Sequence, residues 1–140
     1  MQGTSLAGHS ILIVEDEVLI ALDIQMAFEK AGASVVTVYS LPEAFPHVEQ
    51  GGLSGAVLDY GVRSEDGDAL CERLKQRDIP FIFHSGYGPT SDTHHGGIVI
   101  PKPARPEVLV EALLRALANQ DQPCEQSATS SVLRTSRPQL

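Results

Sequence analysis

Five short apolar runs punctuate the chain, at Ile11–Val14, Val35–Tyr39, Gly55–Leu58, Phe81–Phe83 and Ile98–Ile100. They are three to five residues long and rich in β-branched and aromatic side chains, the pattern of strands buried on both faces. Between them the apolar spacing changes to every third or fourth position. From about Glu17 to Ala31, Leu19, Leu22 and Met26 fall on one helical face, and Gly32 is placed to end the helix. Ser40-Leu41-Pro42-Glu43 has the form of a capping box with proline in the first turn, opening a helix that stops before Gly51-Gly52. Asp66-Gly67-Asp68 opens a third helix to about Gln76, with Leu70 and Leu74 four apart. Pro106 starts a last one through Leu109, Leu113 and Leu117. Strands and helices alternating in short units predict an α/β fold, a five-stranded parallel sheet covered on both faces.

Two segments interrupt the rhythm. Only sixteen residues separate Ser85 from Lys102, and Gly88 to Gly97 shows no apolar periodicity, so a fourth helix there is limited to one turn. Asn119 to Leu140 is rich in Gln, Ser, Thr and Pro and reads as a disordered tail, with residues 1–8 a loose lead-in; one domain over 9–118 remains. Formal net charge is −8 with only ten Lys and Arg, which argues against nucleic-acid binding, because no basic stripe exists to displace counterions. No signal-peptide pattern and no apolar run near membrane-spanning length appears, so a cytoplasmic protein without membrane insertion is expected. Cys71 in a helical pattern and Cys124 in the tail read as two reduced thiols, Cys71 in the core.

The candidate chemistry lies where the strands end. Val14-Glu15-Asp16, Leu58-Asp59, His84-Ser85 and Pro101-Lys102 each finish an apolar run with a carboxylate, a hydroxyl or an ammonium. In an open parallel sheet the carboxyl ends of the strands line one crevice, so these groups are expected to meet. A strand-end aspartate such as Asp59 can attack phosphorus and form an acyl phosphate. Glu15 and Asp16 add hard oxygens suited to Mg²⁺, Lys102 a compact positive charge, and Ser85 a hydrogen-bond donor. Taken singly, each has a plainer reading: Asp16 as a helix N-cap, Ser85 as turn chemistry before Gly86, Lys102 as a surface lysine. The adjacent pair His94-His95 has too few partners for a zinc site.

In this order the motifs resemble the receiver domain of bacterial two-component response regulators, over about His9 to Ala118. The resemblance rests on Val14-Glu15-Asp16, Leu58-Asp59, Asp66-Gly67, Ser85-Gly86 and Lys102-Pro103. It implies a flavodoxin-like strand order 2-1-3-4-5, Asp59 as phospho-acceptor, and Ser85 and Lys102 as the groups that hold the phosphoryl. It further implies Mg²⁺ held by Asp16, Asp59 and the Gly61 carbonyl, with Glu15 acting mainly through water, and a cis Lys102–Pro103 peptide. The implied partner is a histidine kinase or phosphotransfer protein, with signalling by contact with a further, unnamed protein; a homodimer is left open.

The departures are specific. The family's usual aromatic residue three positions before the lysine is Val99, and its usual proline four beyond the acceptor is Arg63. Phe81 to Gly88 is similar to the Phe-Ala-Thr-Gly-X-Tyr signature of a single-domain alphaproteobacterial subgroup, with His84 and Ser85 replacing Ala and Thr. An alternative switch would draw Ser85 inward and rearrange Gly86-Tyr87-Gly88. The expectation is thus a stand-alone phospho-acceptor and not an enzyme. A receiver fragment of a longer regulator is the near alternative. An aspartyl-phosphate-type phosphatase is disfavoured because the position of its second carboxylate is Gly61. A flavin- or nucleotide-binding module is disfavoured because no Gly-rich loop follows the first strand.

Overall fold

The computed structural model describes residues 5–59, 65–85, 93–94 and 97–121. Along the chain the elements are β1 (Ser10–Val14), α1 (Val18–Lys30), β2 (Ser34–Val38), α2 (Leu41–Gln50), β3 (Gly55–Asp59), α3 (Glu65–Gln76), β4 (Phe81–Ser85), β5 (Thr93–His94), β6 (Gly97–Pro101) and α4 (Pro106–Asp121). The sheet order is β2-β1-β3-β4-β6-β5. Its five parallel strands stand in the expected order 2-1-3-4-5, the fifth being β6. The two-residue β5 is an addition that the apolar pattern did not signal. It pairs antiparallel with β6, Thr93 opposite Ile98 and His94 opposite Gly97. Among the described residues there are four helices and none between β4 and β6. The expectations for Gly61, Arg63, Gly86-Tyr87-Gly88, His95 and Cys124 lie outside the described residues. The last helix continues through residues 119–121, three beyond the expected boundary; 122–140 also lie outside.

Central position explains why β1 and β3 read as unbroken apolar runs. Helices cover both faces, so alternate residues enter two separate cores. Ile11, Ile13, Val57 and Ile82 pack against α1 and α4, with Phe28, Leu109 and Leu113. Leu12, Val14, Leu58, Phe81 and Phe83 pack against α2 and α3, with Val48, Leu70 and Leu74. Cys71 belongs to this second core, and burial pushes its thiol up to about 12, which keeps it an inert apolar filler.

The structure adds to one local expectation and corrects another. Leu19, Leu22 and Met26 do share a face of α1, together with Val18, but that face is exposed; the helix buries Ala21, Ile24 and Phe28 instead. The helix is apolar on two sides, and periodicity alone does not say which side meets the sheet. The capping box at α2 does not form, and Glu43 instead reaches one residue before the cap. Ser40 is the N-cap but makes no side-chain cap bond, while Glu43 Oε1 accepts from the Tyr39 N–H at 3.0 Å.

Gly32 ends α1 as expected. At φ +106° its N–H donates to the Glu29 carbonyl while that of Ala33 donates to Phe28, and a Cβ there would lie 3.0 Å from the Ala7 nitrogen. Gly97 is required for a different reason. A Cβ on it would sit 2.5 Å from the Phe81 ring and 2.9 Å from the Phe81 carbonyl oxygen. Gly97→Ala should therefore cost about 1–3 kcal/mol through overpacking, read as a lower urea midpoint at unchanged slope. An unchanged midpoint would show that Phe81 gives way freely. No described helix is long and apolar enough to cross a membrane.

Candidate functional site

The fold delivers the strand-end groups to one place. Glu15 follows β1, Asp59 ends β3, and Lys102 follows β6, all at the carboxyl edge of the sheet. Glu15 is 1% exposed and Asp59 6% exposed, whereas Asp16 is open to solvent. One ligand oxygen from each of Glu15, Asp16 and Asp59 falls within 4.8 Å of the others. Lys102 Nζ lies 3.4 Å from Asp59 Oδ1 and 3.7 Å from Glu15 Oε1, bridging the two buried carboxylates. The Lys102–Pro103 peptide is cis, as the resemblance implied. Ser85 closes β4 beside them, paired in register with Pro101.

Asp16 is not a helix cap. The N-cap of α1 is Glu17, without a side-chain cap bond, and Glu15 Oε2 accepts the Glu17 N–H at 3.1 Å. The turn after β1 is thus pinned by Glu15, which leaves the Asp16 carboxylate available to the cluster. Burial, reinforced by the negative charge of Asp59, pushes Glu15 up to about 7, against the Glu17 N–H and Lys102, which act the other way. One lysine does not neutralise three carboxylates. The donor set, all hard oxygen and half-buried at a crevice, fits a small divalent cation that keeps part of its water.

The site also holds a residue the sequence reading passed over. His84 is 5% exposed, stands opposite Asp59 in the β3–β4 register, and shares the inward parity of Ile82. Neither of its ring nitrogens has a hydrogen-bond partner among the described residues. Burial, helped by the charge of Lys102, lowers His84 to about 4 despite nearby Asp59, so the imidazole is neutral at physiological pH. The available signal was its parity: a titratable residue two places after a core isoleucine on a central strand must itself face a core.

A five-stranded doubly wound parallel sheet with this acid cluster and lysine at its carboxyl edge defines a signalling domain of the receiver class. The chain belongs to the response regulator receiver domain family, whose model matches residues 11–114. It is 30% identical over 127 residues to the probable transcriptional regulator ycf27 of Cyanophora paradoxa, covering 86% of this chain and 53% of that protein. The chain thus spans about half the length of that relative. Among solved structures it resembles a response regulator receiver protein from Sinorhizobium medicae WSM419, with a TM-score of 0.72 and 25% identity, covering 83% of this chain and 99% of the other. The response regulator PhyR from Brucella abortus matches with a TM-score of 0.72 and 25% identity, over 91% of this chain and 54% of the other. Two-component signalling is therefore the established setting of this fold.

Proposed function

We propose that Asp59 accepts a phosphoryl group from a phosphohistidine donor, with Mg²⁺ held by Glu15, Asp16 and Asp59 and by the Gly61 carbonyl. The observation that carries this reading is the Lys102 bridge between two buried carboxylates within a three-carboxylate cluster. An Asp59 oxygen forms the new P–O bond as the donor's P–N bond breaks, and the imidazole leaves with the electron pair. Lys102 is close enough to transfer its contact from Asp59 to a phosphoryl oxygen, and Ser85, the last residue of β4, would donate its hydroxyl to another. The bound cation would supply neutralisation of the charge that gathers on the phosphoryl oxygens. Burial of Asp59 and Glu15 strengthens each of these contacts.

Beside the acceptor, α1 presents Val18, Leu19, Leu22 and Met26 to solvent, Leu19 with 75% of its surface exposed. An apolar stripe of this kind, one turn from the acidic pair, suits docking of a helix from the histidine kinase or phosphotransfer donor. The output would then be a protein contact, and the molecule would act in the cytoplasm.

Beryllofluoride with Mg²⁺ tests the acceptor site directly. Amide shifts centred on residues 14–16, 58–59 and 101–103 are expected, with Mg²⁺ alone moving the first two groups. Shifts that bypass Asp59, or none, would remove the phospho-acceptor reading.

A further inference from the structure

Lys102 reaches Asp59 by passing over β4. The sheet runs β3-β4-β6 and neighbouring strands stand about 4.8 Å apart, so an arm rooted after β6 crosses one whole strand to meet Asp59. The β4 residue on that path is His84, in register with Asp59 on one side and Ile100 on the other. Strand alternation turns His84, two after Ile82, and Asp59, two after Val57, toward the same face, the one covered by α1 and α4. On that face His84 and Lys102 line one cavity of about 200 Å³, walled by Ile20, Ile24 and Pro106.

Both ring nitrogens of His84 are shut off from solvent and unpartnered among the described residues. A neutral imidazole carries one N–H donor and one lone-pair acceptor, and leaving them unmet is costly. Water does not reach these atoms, so a partner has to come from a protein side chain that moves. Among the described residues that line the cavity, Lys102 alone besides His84 offers N–H donors. Its present hold is loose: 3.4 Å to Asp59 and 3.7 Å to Glu15. A good charge-assisted bond is about 2.7–2.9 Å.

We propose that His84 is the resting partner of Lys102 once a divalent cation occupies the carboxylate cluster. The imidazole lone pair accepts from Nζ and keeps the ammonium beside Asp59 until a phosphoryl oxygen takes it. This role rests on the acceptor reading of Asp59 and adds a positioning residue to it. A cation bound to Glu15 and Asp59 competes with Lys102 for the same oxygens and repels it. His84 is the neutral acceptor on the path along which the arm withdraws, and it adds no charge to the site. The rival partner is Asp23, at the rim of the same cavity. Asp23 is exposed on α1, where an ion pair gains little, and a lysine drawn there would have left the acceptor.

The test adds Mg²⁺ to the full chain and records the His84 ring nitrogens and the Lys102 side chain by NMR, with the amides of residues 14–16 and 58–59 reporting cation binding. The unprotonated His84 nitrogen should shift upfield in step with those amides. Lys102→Met should keep the amide shifts and lose the shift at His84. With acetyl phosphate, His84→Leu should lower the maximal rate of phosphoryl uptake about five-fold, the worth of one net hydrogen bond, at unchanged half-saturation by Mg²⁺. His84→Gln, which restores a neutral acceptor, should recover most of that rate. Equal slowing in both variants would assign the loss to packing and overturn the hydrogen-bond role. Amide shifts without one at His84, or with one at the Asp23 carboxyl carbon in its place, would overturn the proposal while the acceptor reading stands. A shift at His84 in a parent chain that takes up no phosphoryl group would support the Lys102–His84 pair and remove the acceptor reading instead. Mg²⁺ that moves none of these amides would overturn both.

Discussion

Asp59→Asn is expected to lose phosphoryl uptake completely. Incubated with Mg²⁺ and acetyl phosphate, the parent chain should gain one phosphoryl group by mass, and the variant none. The amide keeps the size of the carboxylate but supplies no anionic nucleophile, so the P–O bond cannot form at that position. It also removes the charge of one of three clustered carboxylates, which is one of the two that Lys102 contacts. The same substitution should not weaken the fold, because it relieves repulsion with Glu15 while the Lys102–Glu15 contact remains. Urea unfolding without metal should therefore give an equal or higher midpoint. A variant that still gains a phosphoryl group would place the acceptor elsewhere and overturn the assignment. A variant that loses uptake because it has unfolded would be recognised by its midpoint.

Much of this architecture was legible because burial on both faces leaves a plain mark. Ile11–Val14 and Gly55–Leu58 are all-apolar since each faces two cores, and their polar successors Glu15 and Asp59 had to emerge at one edge. The less legible features share a cause, the dependence of local sequence on tertiary partners. Leu19, Leu22 and Met26 have the same helical spacing as a core face, and only the position of the sheet shows that Ile24 and Phe28 are the buried pair. The strand β5 is two residues long, too short for any periodicity, and exists because β6 offers it an edge. His84 was invisible as a core residue because a motif comparison framed it as a replacement for alanine. Its strand parity with Ile82 would have placed it inward.

Glu15 and His84 should give the metal-free protein two opposing pH dependences of stability, hidden while both are present. Glu15 is raised from 4.5 to about 7 on folding, so between those values the folded state holds a proton that the unfolded state has lost. Its contribution is full below pH 4.5 and falls as pH rises to 7. His84 is lowered from 6.5 to about 4, so the unfolded state binds the extra proton across that interval. Its contribution is full above pH 6.5 and is lost as pH falls to 4. Each shift corresponds to about 3 kcal/mol, and between pH 4.5 and 6.5 the two slopes nearly cancel. Removing one group exposes the other. Relative to the parent in EDTA, Glu15→Gln should gain stability with rising pH across 4.5–7, and His84→Leu should lose it across 4–6.5, because each variant lacks the slope that its residue supplied. Urea midpoints at pH 4, 5.5 and 7 read both differences. Variant profiles parallel to the parent would mean that these side chains titrate alike in the folded and unfolded chain, and the burial that sets them apart would then carry no electrostatic consequence.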